Sequence, residues 1–291
     1  MLTAERLGKR YKSDWALYPL NLRLGPGMHG LLGPNGAGKS TLMRLLAGLL
    51  QPSSGDAMLD GVSVRDGRKV RSRIGYVPQV FRMYPQLTAR EWLRHVARVK
   101  GLGGRAAVEE AVERTLHAVN LTKQADRPAR TYSGGMIKRL GIGQALIGSP
   151  DVVIVDEPTA GLDPEERVRL RNVLAEAALT RTVLLSTHVL SDIQSSCRNL
   201  LVLSEGRLLY QGGPSGLASF ADRRVWTWEA SHFEWSRLRL DGLLSARETS
   251  DGIICRALGA QPPTPYAVQA EPTMEEGYIS LISGRQAVDF R

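Results

Sequence analysis

Gly33-Pro34-Asn35-Gly36-Ala37-Gly38-Lys39-Ser40, followed by Thr41, fits G-x-x-x-x-G-K-[ST], the phosphate-binding P-loop (Walker A) pattern. Gly33, Gly36 and Gly38 admit dihedrals closed to other residues and let the main chain approach a ligand closely. Successive N–H groups then ring phosphate oxygens as an anion nest. Lys39 places a point charge by the outer phosphates, and the Ser40 hydroxyl is a natural Mg²⁺ ligand. Met28–Leu32 ahead of the loop reads as a buried strand. Behind it, Leu42, Leu45, Leu46 and Leu49 follow helical spacing, with Gly48 suited to a C-cap. Strand, glycine loop and helix together aim a helix N-terminus at an anion.

The chain has 291 residues, enough for one large domain or two. Its composition is that of a globular protein, and no apolar run approaches the ~20 residues of a membrane span. Glu5, Arg6, Lys9 and Arg10 interrupt the N-terminus too early for a signal-peptide core. Cys197 and Cys255 lack metal or disulfide spacing, which suits a reducing compartment and packing roles. The net charge of +9 is uneven: from Ala221 onward 8 Arg face 10 carboxylates, leaving −2, so the first 220 residues carry +11. Polyphosphate, anionic lipid and nucleic acid all suit such a segment, as does an ordinary solvated surface.

Along the chain, Tyr11 precedes the P-loop strand and offers a face for stacking on a nucleobase, with Trp15 the competing candidate. Ile74–Val77 reads as a strand that ends near Gln79, where ligands of α/β sheets bind. From 88 to 120 the pattern turns helical, with Trp92, Val96 and Val99 on one stripe and Val108, Val112, Leu116 and Val119 on another. Thr88 with Glu91 predicts a capping box. Ser133 is a natural N-cap for a helix running to about Ile147, and Gly134 and Gly135 expose backbone N–H groups at its start. Close packing or mobility is needed to account for Gly141 and Gly143 inside that helix. Val152–Val155 is a buried parallel strand with Asp156 and Glu157 at its carboxyl end, the Walker B pattern: Asp156 for Mg²⁺, Glu157 to polarise a water. Thr182–Thr187 is another buried strand, ending in His188.

These landmarks together resemble the nucleotide-binding subunit of an ABC transporter, over roughly residues 2–220. The resemblance rests on the P-loop, Gln79 as a Q-loop, Ser133-Gly134-Gly135 as a signature, Val152–Glu157, Ala160-Gly161-Leu162-Asp163 as a D-loop, and His188 as a switch histidine. It implies an α/β P-loop NTPase fold with an antiparallel β subdomain and a helical subdomain at about 79–149. It also implies two cassettes paired head to tail, a homodimer by expectation, with ATP held between the P-loop of one and the signature of the other. In that frame Gly33, Pro34, Asn35, Gly36, Ala37, Gly38, Lys39, Ser40 and Thr41 bind ATP. Ser40, Gln79 and Asp156 serve Mg²⁺, Glu157 is the general base, and His188 contacts the γ-phosphate. Tyr11 stacks on adenine, and Asp163 couples the two sites. Tyr132 and Met136 depart from the commonest signature, which has Leu first and Gln last, and put the hydrolysis rate or coupling in question; an active ATPase is still expected.

Residues 221–291 lie outside the resemblance and are expected to form a small α+β accessory domain with a core lined by Trp226, Trp228 and Trp235. Glu271–Ile279 loosely resembles a segment that closes bacterial export ATPases. The expected function is to power transport, in the export direction, through a separate membrane permease, from the cytoplasmic face of the membrane. Its docking surface is expected near Gln79–Leu87, with Phe81 and Met83 among the apolar anchors. The alternative is an ABC-type mechanoenzyme acting on nucleic acid or ribosomes. It is disfavoured by a single motif set and by only 117 positions (156 − 39) between Lys39 and Asp156.

Overall fold

A computed structural model describes every residue except Ala160, His188, Val189, Ser195, Arg239 and 287–291. His188, expected at the γ-phosphate, therefore lies outside the described residues. The chain forms two compact units, Met1–Gln211 and Gly212–Arg291.

The first unit begins with β1 (Leu2–Tyr11) and β2 (Asp14–Leu24), then β3 (Gly27–Leu32) and α1 (Lys39–Leu46). Next come β4 (Ser54–Leu59), β5 (Val62–Ser63), α2 (Gly67–Val70), β6 (Ile74–Val77), α3 (Ala89–Val99), α4 (Arg105–Ala118) and α5 (Gly134–Leu146). It continues through β7 (Val152–Asp156), α6 (Pro164–Ala178), β8 (Thr182–Ser186), α7 (Leu190–Gln194), β9 (Asn199–Ser204) and β10 (Arg207–Gly212). One sheet has the order β2-β1-β4-β5, with antiparallel pairs throughout. The other has the order β10-β9-β3-β8-β7-β6, and its pairs from β9 to β6 are parallel. Strands β7 and β8 are buried along their whole length, which is why their sequences run apolar without alternation.

Helix α1 buries Leu42, Met43, Leu45 and Leu46 against Leu31, Ile154, Leu184 and Leu201 of the parallel sheet. Each such side chain contributes about 1.5–3 kcal/mol over its exposed state. The helix is one turn shorter than its leucine spacing predicts. Gly48 adopts φ 68°, with Leu49 N–H donating to Arg44 O and Gly48 N–H to Leu45 O. This is a Schellman stop, and it leaves Leu49, the expected fourth rung, beyond the helix and 62% exposed.

The predicted capping box at Thr88 and Glu91 forms at the start of α3. The stripe that α3 buries is Ala89, Leu93 and Ala97 rather than Trp92, Val96 and Val99. Periodicity found an apolar stripe but could not say that it faces a groove. Gly141 and Gly143 have a packing explanation. A Cβ at Gly141 would stand 3.0 Å from the Phe81 ring, and one at Gly143 would stand 3.1 Å from Thr115 Cγ2. Phe81, expected among the docking anchors, packs its ring against α5.

The second unit holds α8 (Pro214–Ala218), β11 (Val225–Ala230), α9 (His232–Arg237), β12 (Leu243–Glu248), β13 (Ile253–Leu258), β14 (Val268–Gln269) and α10 (Met274–Gln286). Its sheet has the order β12-β13-β11-β14 with antiparallel pairs. Trp228, Ala230, Ile253, Cys255 and Ala257 form the core, with Trp235 packed against it. The unit starts nine residues before the boundary read from sequence (220 − 211). The cause is α8, whose Leu217 carbonyl meets the backbone of α10 so closely that Gly277 has no room for a Cβ. Ser280 Oγ also donates to Phe220 O at 2.8 Å.

Candidate functional site

At the carboxyl ends of β3 and β7 lies a cavity of about 370 Å³, lined by Ala16, Asn35 to Thr41, Gln79, Asp156 and Glu157. Two glycines shape its loop. Gly33 has φ 155°, and a Cβ there would lie 2.2 Å from Leu203 O. Gly38 has φ 101° and would collide with Ala16 O. Both positions are closed to any side chain, so the loop is clamped between β9 and β2.

Lys39 is buried and its Nζ donates to Gly33 O at 2.7 Å and Pro34 O at 3.0 Å. Burial holds its ammonium below the usual lysine range, and the charges of Glu157 and Asp156 push it back up. Ser40 Oγ donates to Asp156 Oδ2 at 2.8 Å, which sets two hard oxygen donors side by side. This donor chemistry fits Mg²⁺. Gln79 Nε2 donates to Glu157 Oε2 at 3.1 Å. Glu157 is the first residue past β7 and has a left-handed backbone, φ 48°. Its N–H donates to Ser186 O at 2.9 Å. A non-glycine residue held there by its neighbours marks a position fixed at some conformational cost.

The structure brings Lys39, Ser40, Gln79, Asp156 and Glu157 around one cavity. It does not bring Tyr11, Ser133, Gly134, Gly135 or Asp163 to that wall. Tyr11 sits exposed at the β1–β2 turn, with Lys9 Nζ 5.2 Å from its ring centroid. The competing Trp15 stacks on Tyr18, with centroids 5.8 Å apart. Ser133 caps α5, its Oγ accepting from Met136 N–H at 3.2 Å. Asp163 caps α6, accepting from Glu166 N–H at 2.8 Å. Gly134 faces open space, while Gly135 abuts Leu162 and Glu166.

Three features escaped the sequence reading. Ala16 lines the cavity because its carbonyl packs on the P-loop, and an alanine in a strand carries no signal of that. The Tyr132 hydroxyl donates to Gln124 O at 2.6 Å, so the unusual first signature residue anchors the turn. Arg139 and Glu166 form an ion pair at 2.8 Å with both side chains largely buried, and Arg139 Nη1 donates to Val119 O and Asn120 O. The pair ties α5 to α6 and to the end of α4.

A second concavity, about 460 Å³, is lined by Leu49, Arg71, Ile74, Gly75, Tyr76, Trp92, His95, Val96, Val99, Lys100 and Gln144. This is the groove that the Trp92, Val96 and Val99 stripe faces. Val99 is 73% exposed. Trp92 Nε1 donates to Gln144 Oε1 at 2.8 Å, fixing the indole across the groove. Lys100 Nζ donates to Ala145 O and Ile147 O, each at 2.9 Å. Its burial draws the ammonium down to about 8, with Arg181 adding to the shift.

A family model described as ABC transporter matches residues 17–160. The Nod factor export ATP-binding protein I of Ralstonia nicotianae is 38% identical over 223 residues, 75% of this chain and 68% of that protein. The probable multidrug ABC transporter ATP-binding protein YbhF of Escherichia coli is 33% identical over 304 residues, 98% of this chain and 52% of that protein. The latter match therefore takes in the second unit. Among solved structures, an ATP binding subunit of an ABC transporter superposes with a TM-score of 0.69 at 29% identity, covering 75% of this chain and 91% of its own. The dimeric cassette MJ0796 superposes with a TM-score of 0.67 at 25% identity, covering 73% and 98%. The same cassette has also been solved as a dimer in a post-hydrolysis state bound to ADP and Pi.

Proposed function

The chain belongs to the ABC transporter family of ATP-binding subunits and is an ATPase of that kind, and we propose that Lys39, Ser40, Gln79, Asp156 and Glu157 carry its chemistry. The observation that supports this most is their convergence on one cavity, with Ser40 hydrogen-bonded to Asp156 and Gln79 to Glu157. In this reading the amides from Gly33 to Thr41 and the Lys39 ammonium hold the β- and γ-phosphates. Ser40 and Asp156, with Gln79, would hold Mg²⁺, which offsets phosphate charge when bound. Glu157 takes a proton from the attacking water as its oxygen bonds to the γ-phosphorus and the bond to the ADP oxygen breaks. His188 touches the γ-phosphate and Tyr11 stacks on adenine.

Ser133, Gly134 and Gly135 act on the nucleotide of a second copy. The bare α5 start, exposed and facing open space at Gly134, suits that role. Asp163 couples the two sites through the helix that it caps. ATP joins two such chains, and its hydrolysis lets them part. Those movements drive a separate membrane permease, and the relatives' names favour export. Among the described residues no helix is long and apolar enough to cross a membrane. The chain works from the cytoplasmic face, docked near residues 79–87 and the adjoining groove of Trp92, Val96 and Val99. The Glu157→Gln chain should bind ATP, form a stable dimer and release almost no phosphate. Turnover unchanged from wild type would remove Glu157 as the base.

A further inference from the structure

Two further cavities lie where α4, α5 and α6 meet, and Ala118 and Val173 line both of them. The first, about 280 Å³, is walled by Val119, Ile142 and Leu170. Arg139 and Arg169 also line it, but Glu166 is paired with both, and Glu165 with Arg169. Asn120 and Asn172 add only neutral amides. The second, about 390 Å³, has Leu146, Ala177 and Leu179 on its walls, and Leu179 is 80% exposed. Its charged residues are Arg114, Arg181 and Glu176. Among the described residues Arg181 has no ion pair, and Arg114 has only the exposed Glu110, at 4.0 Å. Arg181 also helps to hold the Lys100 ammonium low, so this end gathers cations.

We propose that these two cavities together take one single-chain anionic lipid, its tail against Val119, Ile142 and Leu170 and its carboxylate at Arg181 and Arg114. Size and polarity decide the class. A helix is about 10–12 Å across with its side chains and is too thick for spaces this small. An extended peptide would bring N–H and C=O groups to aliphatic walls that cannot pair them. A hydrocarbon tail brings none. Charge decides which way the molecule lies. The arginines of the first cavity are already balanced by Glu165 and Glu166, whereas two arginines face the single carboxylate of Glu176 in the second. An anionic head is therefore drawn to the second cavity and a cationic one is repelled from it. The exposed Ser149 and Thr180 add hydroxyl donors there. Such a molecule lies against α5, whose first turn bears Gly134 and Gly135, and against α6, which Asp163 caps.

The test is isothermal titration of the full chain with sodium laurate, well below its micelle concentration and without nucleotide. One laurate should bind per chain. Methyl laurate, with the same tail and no charge, and dodecylamine should each bind about tenfold more weakly or worse. Arg181→Glu should weaken laurate by a similar factor, and Val173→Phe, which adds bulk where the cavities meet, should abolish binding. Both variants should keep the melting temperature and ATP turnover of wild type in the absence of laurate, which reports that they have folded. A laurate with a photoreactive group at its tail should label wild-type peptides around Val119, Ile142 or Leu170, and labelling confined to other segments overturns the site. No binding, several laurates per chain, uptake only at micellar concentration, equal binding of the methyl ester, or indifference to Arg181→Glu also overturns it. The titration uses neither nucleotide nor permease, so its failure leaves the transporter reading standing.

Discussion

Helices α1 and α5 both have glycine at their start, and their first turns are finished in opposite ways. At the start of α1, Gly33 and Gly38 press on Leu203 O and Ala16 O. Lys39 and Ser40 are engaged by Gly33, Pro34 and Asp156 of the same chain. At the start of α5, Ser133 caps its own helix, and a Cβ at Gly134 would meet nothing beyond its own helix within 4 Å. The first turn is complete within one molecule. The second has exposed glycine at its start, and among the described residues Gly134 has nothing packed over it. Glycine thus does two jobs: in α1 it admits neighbouring backbone, and in α5 Gly134 leaves a surface bare.

The largest expected effect separates the chemistry of the first turn from the contact made by the second. Glu157→Gln should lower phosphate release about 10²–10⁴-fold with ATP affinity nearly unchanged, as read by nucleotide titration beside a turnover assay. Loss of affinity instead would mean that Glu157 shapes the pocket rather than the reaction. Next, alanine at the two kinds of glycine should part stability from assembly. Gly33→Ala forces a Cβ into Leu203 O and should cost about 3 kcal/mol or more, seen as a large drop in melting temperature. Gly134→Ala should melt within about 0.5 kcal/mol of wild type yet lose ATP-dependent dimerisation in size-exclusion chromatography. Equal melting of the two variants would erase the distinction.

A smaller effect probes the far end of α5. Lys100 is held at about 8 when folded, against an ordinary 10.5. Below about 8 both the folded and unfolded chains keep the proton, so its burial penalty stands in full. Between about 8 and 10.5 only the unfolded chain keeps it, so this residue's contribution to stability rises with pH. The melting temperature of wild type relative to Lys100→Met should climb between pH 7.5 and 9.5, by about 2–4 °C for each kcal/mol recovered. A gap that stays flat over that range would place the ammonium in water. Smallest is Asp163→Ala, which removes the cap of α6 and should cost about 1 kcal/mol in chemical denaturation.

The α1 turn was legible in the sequence because its chemistry is local: glycines, Lys39 and Ser40 are neighbours in the chain, and Asp156 closes a strand with an unmistakable apolar run. The α5 turn was legible in its residues as a cap with two bare glycines, and as a signature only through the resemblance, since what it lacks cannot be spelled in residues. Stripe spacing on α3 identified Trp92, Val96 and Val99 as apolar but assigned them no partner, because a groove wall and a core have the same period. The Arg139–Glu166 pair joins positions well apart in sequence, and the Tyr132 anchor ends on a backbone carbonyl, which no residue type announces. The early start of the second unit was hidden for the same reason: α8 reveals its partner only where it meets Gly277.

With Lys39 as a phosphate ligand, as proposed above, nucleotide capture takes the character of an exchange reaction. The Lys39 ammonium is already coordinated by two carbonyls, Gly33 O and Pro34 O, so a ligand must offer at least as dense a cage of oxygens to draw it away. Simple monovalent anions do not, and a polyphosphate tail does. In the reading proposed above, the same carbonyls can take the cation back once the whole nucleotide has left. In that reading unloading is the reverse of the swap that loads the pocket.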